Sequence, residues 1–546
     1  MRHWLAVAVI GAALVTVLTY PTVPKMGSVG RFDNGDGRFS IWNVAWVART
    51  IVADPRDLLD ANIFWPHTGT LAYSELNLVA GVIAAPVYAI TQNPLAATNF
   101  AIASALWLSF MCTWALVRRL TGSGSAGVVA GAAYTFCPYL LSHTSHVQLL
   151  MAFVIPLLFL ALHRLVEQAS VWRGVQLGLA VAIGGLSCGY YGIYGGVAMG
   201  LAAVWFGRRS MAYWRGLGVA LVTAAVLVGP VLYVFTKARA DVGGGPKIGD
   251  TDLRYYSSNP IDYLVSGAQA HEMLWQPPVS GRDPLFPGIV ALCAALLALV
   301  AAARGGQLST PRWTVGGYAV VGFMAAWASL GPQAGLYTVL FKLVPAINLL
   351  RVPSRFGLIT MFAVAVLAGV AVASARRRVW LAAVLTVFVA AENGAQTATW
   401  GWPSWPIQEH GAVPHAYWVL ASLPRGPVVE YPFPYISDNI HNNTNAMLMS
   451  TYHWQPLVNG YSDIIPSDVY EIMLPINGFP DAASFRIFAE RKVRYVIWDL
   501  RTYSAESLAT LVARFPPYAK YLKPLVHDDD VWLYEIVGYP SSTPTQ

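Results

Sequence analysis

"LNLVAGVIAAPVYAI", residues 76–90, is apolar, about one turn short of a comfortable bilayer crossing and interrupted by Pro86. Whether it crosses decides the topology of everything after it, because each crossing exchanges the two sides of the membrane. If it lies along the outer surface, one side receives Arg2, Arg118, Arg119, Arg164, Arg173, Arg208, Arg209, Arg215, Arg304, Arg312 and Arg376 to Arg378. If it crosses, Arg118 and Arg119 fall on the opposite side and the later loops lose their pattern. Basic loops collect on the cytoplasmic side, so the segment is read as an interfacial helix. The same holds for 336–350, which carries Lys342 and Pro345.

The remaining apolar runs then give eleven spans at 4–22, 95–117, 126–141, 147–162, 175–187, 193–206, 217–235, 285–303, 313–330, 356–373 and 379–391. With 56% hydrophobic and 12% charged residues and a mean hydropathy of +0.49, the chain reads as a polytopic α-helical membrane protein. Its formal charge of +7 lies in inner loops, which argues against a nucleic-acid partner. The run 4–22 lacks an A-x-A-like cleavage site and is taken as an uncleaved first span. Cys112, Cys137, Cys188 and Cys293 fall within apolar runs, with no disulfide or metal spacing.

Residues 1–396 therefore form a membrane domain, with a first outer loop at 23–75 and interfacial helices at 76–90 and 336–350. After Glu392 the chain turns polar and rich in Pro and Tyr. "GPVVEY", "VRYVIWDL" and "DVWLYEIVG" alternate with helix-like "ESLATLVARF", so 397–546 reads as a soluble α/β domain. A cytoplasmic N-terminus followed by eleven crossings places it on the outer side of the membrane.

The polar residues of the outer side are the candidates for chemistry. In "RFDNGDGRFSIWN" (31–43), Asp33 and Asp36 are set among glycines that leave a carboxylate approachable. They can serve as a base, hold a cation, or cap the helix that begins near Phe39. Asp54, Asp57 and Asp60 flank a Pro turn and read as capping residues. "SHTSHVQ" sets His143 and His146 three apart, on one face if helical, for a metal, a phosphate, a proton or merely the interface. Glu75 opens the first interfacial helix and either answers its dipole or joins an acidic site with Asp36. In "CGYYGIYGG", Tyr190, Tyr191 and Tyr194 read as interface-belt tyrosines, with Tyr191 retained as a substrate contact. "RVPSRFG" places Arg351 and Arg355 on the outer face, where topology does not favour basic residues and guanidinium forks suit a lipid phosphate. In 250–264, Asp250, Asp252, Arg254 and Tyr255 have nonspecific spacing. No Asp, Glu, Lys or Arg lies within a span interior, which weakens an ion-coupled transport reading.

This arrangement resembles the GT-C superfamily of membrane glycosyltransferases, which includes protein O-mannosyltransferases, aminoarabinose transferases and bacterial relatives. The likeness is carried by "GDGRFSIWNVAW", "NIFWPHTGTLAYSELN", "VRRLTGSGSAG", "SHTSHVQLL" and "LLRVPSRFGL". It implies sugar transfer from a polyprenyl-phosphate donor to a glycan, lipid or protein acceptor, with inversion. Asp36 would be the base, with Asp33 second; Arg351 and Arg355 would meet the phosphate. His143, His146 and Glu75 would position phosphate, acceptor or cation, and Asp36, Glu75 and His146 form the set for a divalent ion, Mg or Mn. The family often has two adjacent acids where this chain has Asp33-Asn34-Gly35-Asp36. A lipid or glycan transporter and a non-catalytic membrane scaffold presenting the C-terminal domain are the alternatives.

Overall fold

The computed structural model describes residues 2–243, 248–268, 270–271, 283–394, 407–435, 439–528 and 530–540. Each of the eleven predicted crossings is helical, and five helices are individually long and apolar enough to span a bilayer: Pro94–Thr121, Gly124–Ser142, Val147–Glu167, Met211–Asp241 and Pro353–Ser374. The chain is thus a polytopic helical membrane protein. The two segments expected to lie along the outer surface are helical, as Leu78–Thr91 and as Leu336–Leu343 followed by a 3-10 turn at Pro345–Leu349.

The arginine-bearing loops gather at one end of the bundle. Trp4 packs edge-on against Trp114 with ring centres 4.3 Å apart, and Arg118 stands over both rings. Arg119 pairs with Glu167, Thr310 bonds the Leu120 carbonyl at 2.9 Å, and Ser309 bonds Ser374. At the opposite end Glu392, just past the last predicted span, accepts the Ile289 and Val290 amides that open the Ile289–Ala303 helix. That satisfies donors which helix geometry leaves unpaired. His271 donates to the same carboxylate at 2.7 Å.

Close helix approach follows from small residues. A Cβ on Gly192 would lie 2.6 Å from the Gly185 Cα, so the Val171–Ser187 and Gly189–Trp205 helices touch backbone to backbone. Tyr190, Tyr191 and Tyr194 are buried in this bundle at 8%, 1% and 1% exposure, which replaces the expected interface belt. Tyr194 stacks on Phe356 with centres 3.8 Å apart.

The C-terminal region holds a four-stranded sheet of β3 (Val428–Tyr431), β4 (Tyr495–Asp499), β5 (Leu522–His527) and β6 (Val531–Ile536), in the order β3-β4-β6-β5. The β3/β4 pair is parallel; β4/β6 and β5/β6 are antiparallel. Three strands coincide with the predicted runs, whereas β5 is missed because Lys523 and Pro524 break its apolar alternation. The proposed boundary at 396/397 lies outside the described residues.

This region shares its core with the first outer loop. Its core includes Trp42, Trp46, Ile63, Phe64 and Tyr73 of the first outer loop alongside Tyr417, Val429, Tyr431, Phe488 and Trp498. Strand β1 (Val29–Gly30) pairs antiparallel with β2 (Gln408–Glu409), and Asn62 bonds Ser450 and the Gln455 carbonyl, each at 3.1 Å. A short loop and a small sheet each expose an apolar face, and burying one against the other satisfies both.

The helix Gly35–Ala53 runs through this shared core, and Asn34 caps it by accepting the Gly37 amide at 2.8 Å. Replacing Asn34 with Ala should destabilise the outer layer by about 1 kcal/mol, read as a lower melting temperature of the purified protein. A second prediction concerns Glu430 on β3, which is 4% exposed, accepts the Tyr417 hydroxyl at 3.0 Å and has no partner for Oε2. Burial, assisted by the charge of Asp499, raises its carboxyl to about 8 from an ordinary 4.5. The folded state therefore holds a proton that the unfolded chain releases first, so stability is greatest below pH 4.5 on this account and declines as pH rises towards 8. Glu430→Gln should flatten that decline and raise the melting temperature by a few degrees at alkaline pH.

Candidate functional site

The segment around Asp36 is arranged by its neighbours. The helix begins at Gly35 rather than near Phe39, and because Asn34 supplies the cap, the Asp36 carboxylate is left free in the first turn, where the helix dipole favours an anion. Neither flanking glycine adopts a positive φ. Gly37 is required for proximity, since a Cβ there would collide with the Arg31 carbonyl, and Gly35 packs against His441. Asn34 donates to Ser145 Oγ at 2.9 Å and Ser40 Oγ to the Ser145 carbonyl at 2.7 Å. These two bonds dock the helix start onto the 143–146 turn, and His146 Nε2 comes to 3.4 Å from Asp36 Oδ2.

Asp36 and His146 line a cavity of about 120 Å³ together with Glu75, Tyr190, Arg351, Arg355 and Asp463. Asn43 donates to the Glu75 carbonyl at 3.0 Å, holding that residue against the same helix. Arg355 lies with its guanidinium carbon 4.0 Å from the centre of the Tyr190 ring. Its Nε is shut off from solvent without an acceptor, and among the described residues no hydrogen bond or ion pair ties its guanidinium to the protein. Arg351 stands over Tyr256 and only loosely approaches Asp463, at 3.9 Å.

The bond to His146 holds the Asp36 carboxyl below the usual carboxylate range against the opposing effect of burial, helped by the charges of His146, Arg351 and Arg355. Glu75 moves the other way: burial, then the charge of Asp463, raises it above its ordinary 4.5. One cavity thus holds two carboxyls whose environments drive them apart.

Several expected residues stand elsewhere. Asp33 is engaged by Arg31 through two 2.8 Å bonds and does not line the cavity. His143 and His146 do not share a helix face, because the helix Pro138–Ser142 ends before them. The His143 ring takes the Tyr139 carbonyl at 2.6 Å, the acceptor that continued helix would give to the backbone, and His143 Nε2 turns to Asp283 at 3.1 Å. Tyr191 donates to the Leu149 carbonyl at 2.6 Å inside the bundle, and its neighbour Tyr190 faces the site instead. Asp36, Glu75 and His146 share the cavity, yet no group of three His, Cys, Asp or Glu side chains is placed to hold a metal among the described residues. With two guanidinium groups on the same wall, the residues present do not fit the expected divalent ion.

The outer region contributes what sequence reading missed. Tyr461, Ser462 and Asp463 form a wall of the cavity, and Asp463 accepts the Ser74 hydroxyl at 3.0 Å. A Gly-aromatic-Ser-acid stretch, "GYSD" at 460–463, was the signal available: Gly460 lies so close to Phe64 that a Cβ would sit 2.6 Å from the ring. A larger cleft of about 610 Å³ between Ile289–Ala303 and Arg378–Gly394 is lined almost wholly by aliphatic side chains and carries no comparable chemistry.

No family model matches the chain, and no curated protein sequence matches it. Among solved structures it is similar to ArnT from Cupriavidus metallidurans bound to undecaprenyl phosphate, at 13% identity over 97% of each chain and a TM-score of 0.49. It is similar also to the oligosaccharyltransferase of Archaeoglobus fulgidus in the apo form, at 12% identity over 95% of this chain and 73% of that one, with a TM-score of 0.47. The complex of that oligosaccharyltransferase with Zn and sulfate matches at 13% identity over 97% of this chain and 72% of that one, with a TM-score of 0.43. Identities this low transfer no residue role, and the chemistry is read from this chain's own geometry.

Proposed function

We propose that the chain is a GT-C-type glycosyltransferase that moves a sugar from a polyprenyl-phosphate donor to an acceptor hydroxyl at the outer face of a bacterial inner membrane. In this reading all eleven helices cross the bilayer, the arginine-rich end is cytoplasmic and the sheet-bearing layer is periplasmic. The observation that carries it is the pairing, in one cavity at the end of the bundle remote from the arginine-rich loops, of an ionised aspartate with a guanidinium that has no acceptor among the described residues. A buried donor left unpaired is costly, and a lipid phosphate supplies the missing acceptor.

Arg355 and the more exposed Arg351 hold the phosphate of the donor. The acceptor oxygen attacks the anomeric carbon as the carbon–oxygen bond to phosphate breaks, and that electron pair passes to the phosphate, where the guanidinium charge stabilises it. The acceptor proton goes to Asp36, and a single displacement inverts the anomeric centre. A carboxylate with a low pKa is a weak base, but a transition state with oxocarbenium character asks little of it until the bond to the acceptor oxygen has begun to form. Part of the depression comes from the two arginines. Once phosphate neutralises them, Asp36 becomes a stronger base in the loaded site. Glu75, which the same surroundings keep readier to hold a proton, is placed to donate a hydrogen bond to the sugar or the phosphate.

Sugar transfer from a panel of polyprenyl-phosphate sugars, followed with the full chain in nanodiscs, tests the reading. Asp36→Asn should lower transfer by about 10²–10⁴-fold while leaving binding of polyprenyl phosphate intact. Arg355→Gln should weaken that binding by about 10- to 100-fold. Transfer by Asp36→Asn at the wild-type rate overturns the base assignment. Because Asp36 is held below the usual carboxylate range, its ionisation should impose no acid limb on the rate above about pH 4.

A further inference from the structure

Asp283 has no part in the chemistry above, yet it sits between two elements that build the site. Its Oδ1 faces His143 Nε2 at 3.1 Å, and its Oδ2 accepts the Ser354 hydroxyl at 2.5 Å. His143 is anchored in turn by the bond from Nδ1 to the Tyr139 carbonyl at 2.6 Å. A carbonyl only accepts, so Nδ1 carries a hydrogen and the ring orientation is set. Ser354 immediately precedes Arg355 in the 3-10 turn Pro353–Phe356. Burial alone would raise the Asp283 carboxyl, but the His143 charge, the bonds from His143 and Ser354 and the charge of Arg355 outweigh it and hold it at about 2. Asp283 is therefore a fixed negative charge near Arg355, and no bond joins the two.

That combination is unusual in its consequences. A guanidinium whose Nε is closed off from water is stabilised by a nearby opposite charge. The ordinary solution is a direct forked bond to the carboxylate, which would take up the very donors a phosphate requires. Here the carboxylate lies close enough to compensate the charge, while both of its oxygens are occupied by other donors. We propose that Asp283 and Ser354 are positioning residues that keep Arg355 buried, charged and unengaged, so that its donors remain available to an incoming lipid phosphate. The inference rests on the assignment of Arg355 to the donor phosphate.

The test is binding of undecaprenyl phosphate to the full chain in nanodiscs, with undecaprenol as the neutral control, read by native mass spectrometry. Ser354→Ala releases Asp283 Oδ2, which then captures Arg355. Phosphate binding should weaken about 5- to 10-fold, with undecaprenol unchanged. Ser354→Thr keeps the hydroxyl and should bind as the wild type does. In the double variant Ser354→Ala with Asp283→Asn no carboxylate captures the guanidinium and the bound phosphate itself supplies the opposite charge, so binding should return to within about twofold of the wild type. A purely structural role predicts the reverse, a double variant at least as impaired as the single one, and that result overturns the proposal; so does wild-type binding by Ser354→Ala, or equal loss in Ser354→Ala and Ser354→Thr. Wild-type binding by Arg355→Gln would instead remove the phosphate assignment beneath it, which separates the two failures.

Discussion

Arg355 stands over the Tyr190 ring with its Nε closed off from water and unbonded, and the parts around it answer the difficulty of keeping a charge there. The ring face supplies a weak attraction, and Asp283 supplies a compensating charge whose oxygens are turned to His143 and Ser354. Asp36, which lines the same cavity, is turned to His146. The cavity thus contains cations and anions near one another with Arg355 left out of any direct pair among the described residues, an arrangement that low hydration makes expensive and that a ligand carrying both hydroxyls and a phosphate relieves.

The same economy of placement explains why the first outer loop and the sheet-bearing region share one core. A site at a membrane surface must be walled from above as well as from within the bundle. The helix Gly35–Ala53 buries Trp42 and Trp46 against the outer layer and presents Asp36 at its start, so the packing that stabilises the layer also orients the carboxylate. Tyr461 to Asp463 reach the cavity from a segment more than four hundred residues further along the chain, held where Gly460 lies against Phe64. Displacing the outer layer would open the site at Asp463 and Arg351 together.

Much of the site was legible because its residues break local expectation. Arg351 and Arg355 lie where loop topology does not favour basic residues, and Asp36 lies between glycines at the foot of a helix; all three line the cavity. His143 and His146 were read as equivalent through a helix that does not exist, because the His143 ring itself takes the carbonyl that would have continued it. Asp33 stands second to Asp36 in sequence without being excluded, since nothing local says that Arg31 closes on it. Tyr190 and Tyr191 are adjacent and chemically alike; helix rotation alone sends one to the cavity and the other to the Leu149 carbonyl.

By itself the sequence determined the apolar helices of the bundle, the helices within 76–90 and 336–350 and three of the four sheet strands. Those depend on apolar period, length and charge between neighbours in the chain, quantities that the bilayer and the backbone impose locally. Only the tertiary structure decided which donors and acceptors are already satisfied: that Asn34 and not an aspartate caps the helix, that Asp463 joins the site while Asp283 stands behind it on Ser354, and that Arg355 is left without a hydrogen-bond partner among the described residues. Hydrogen bonds and ion pairs between distant segments turn on distances of a few tenths of an ångström, which follow from how whole elements pack and leave no trace in the spacing of residues along the chain.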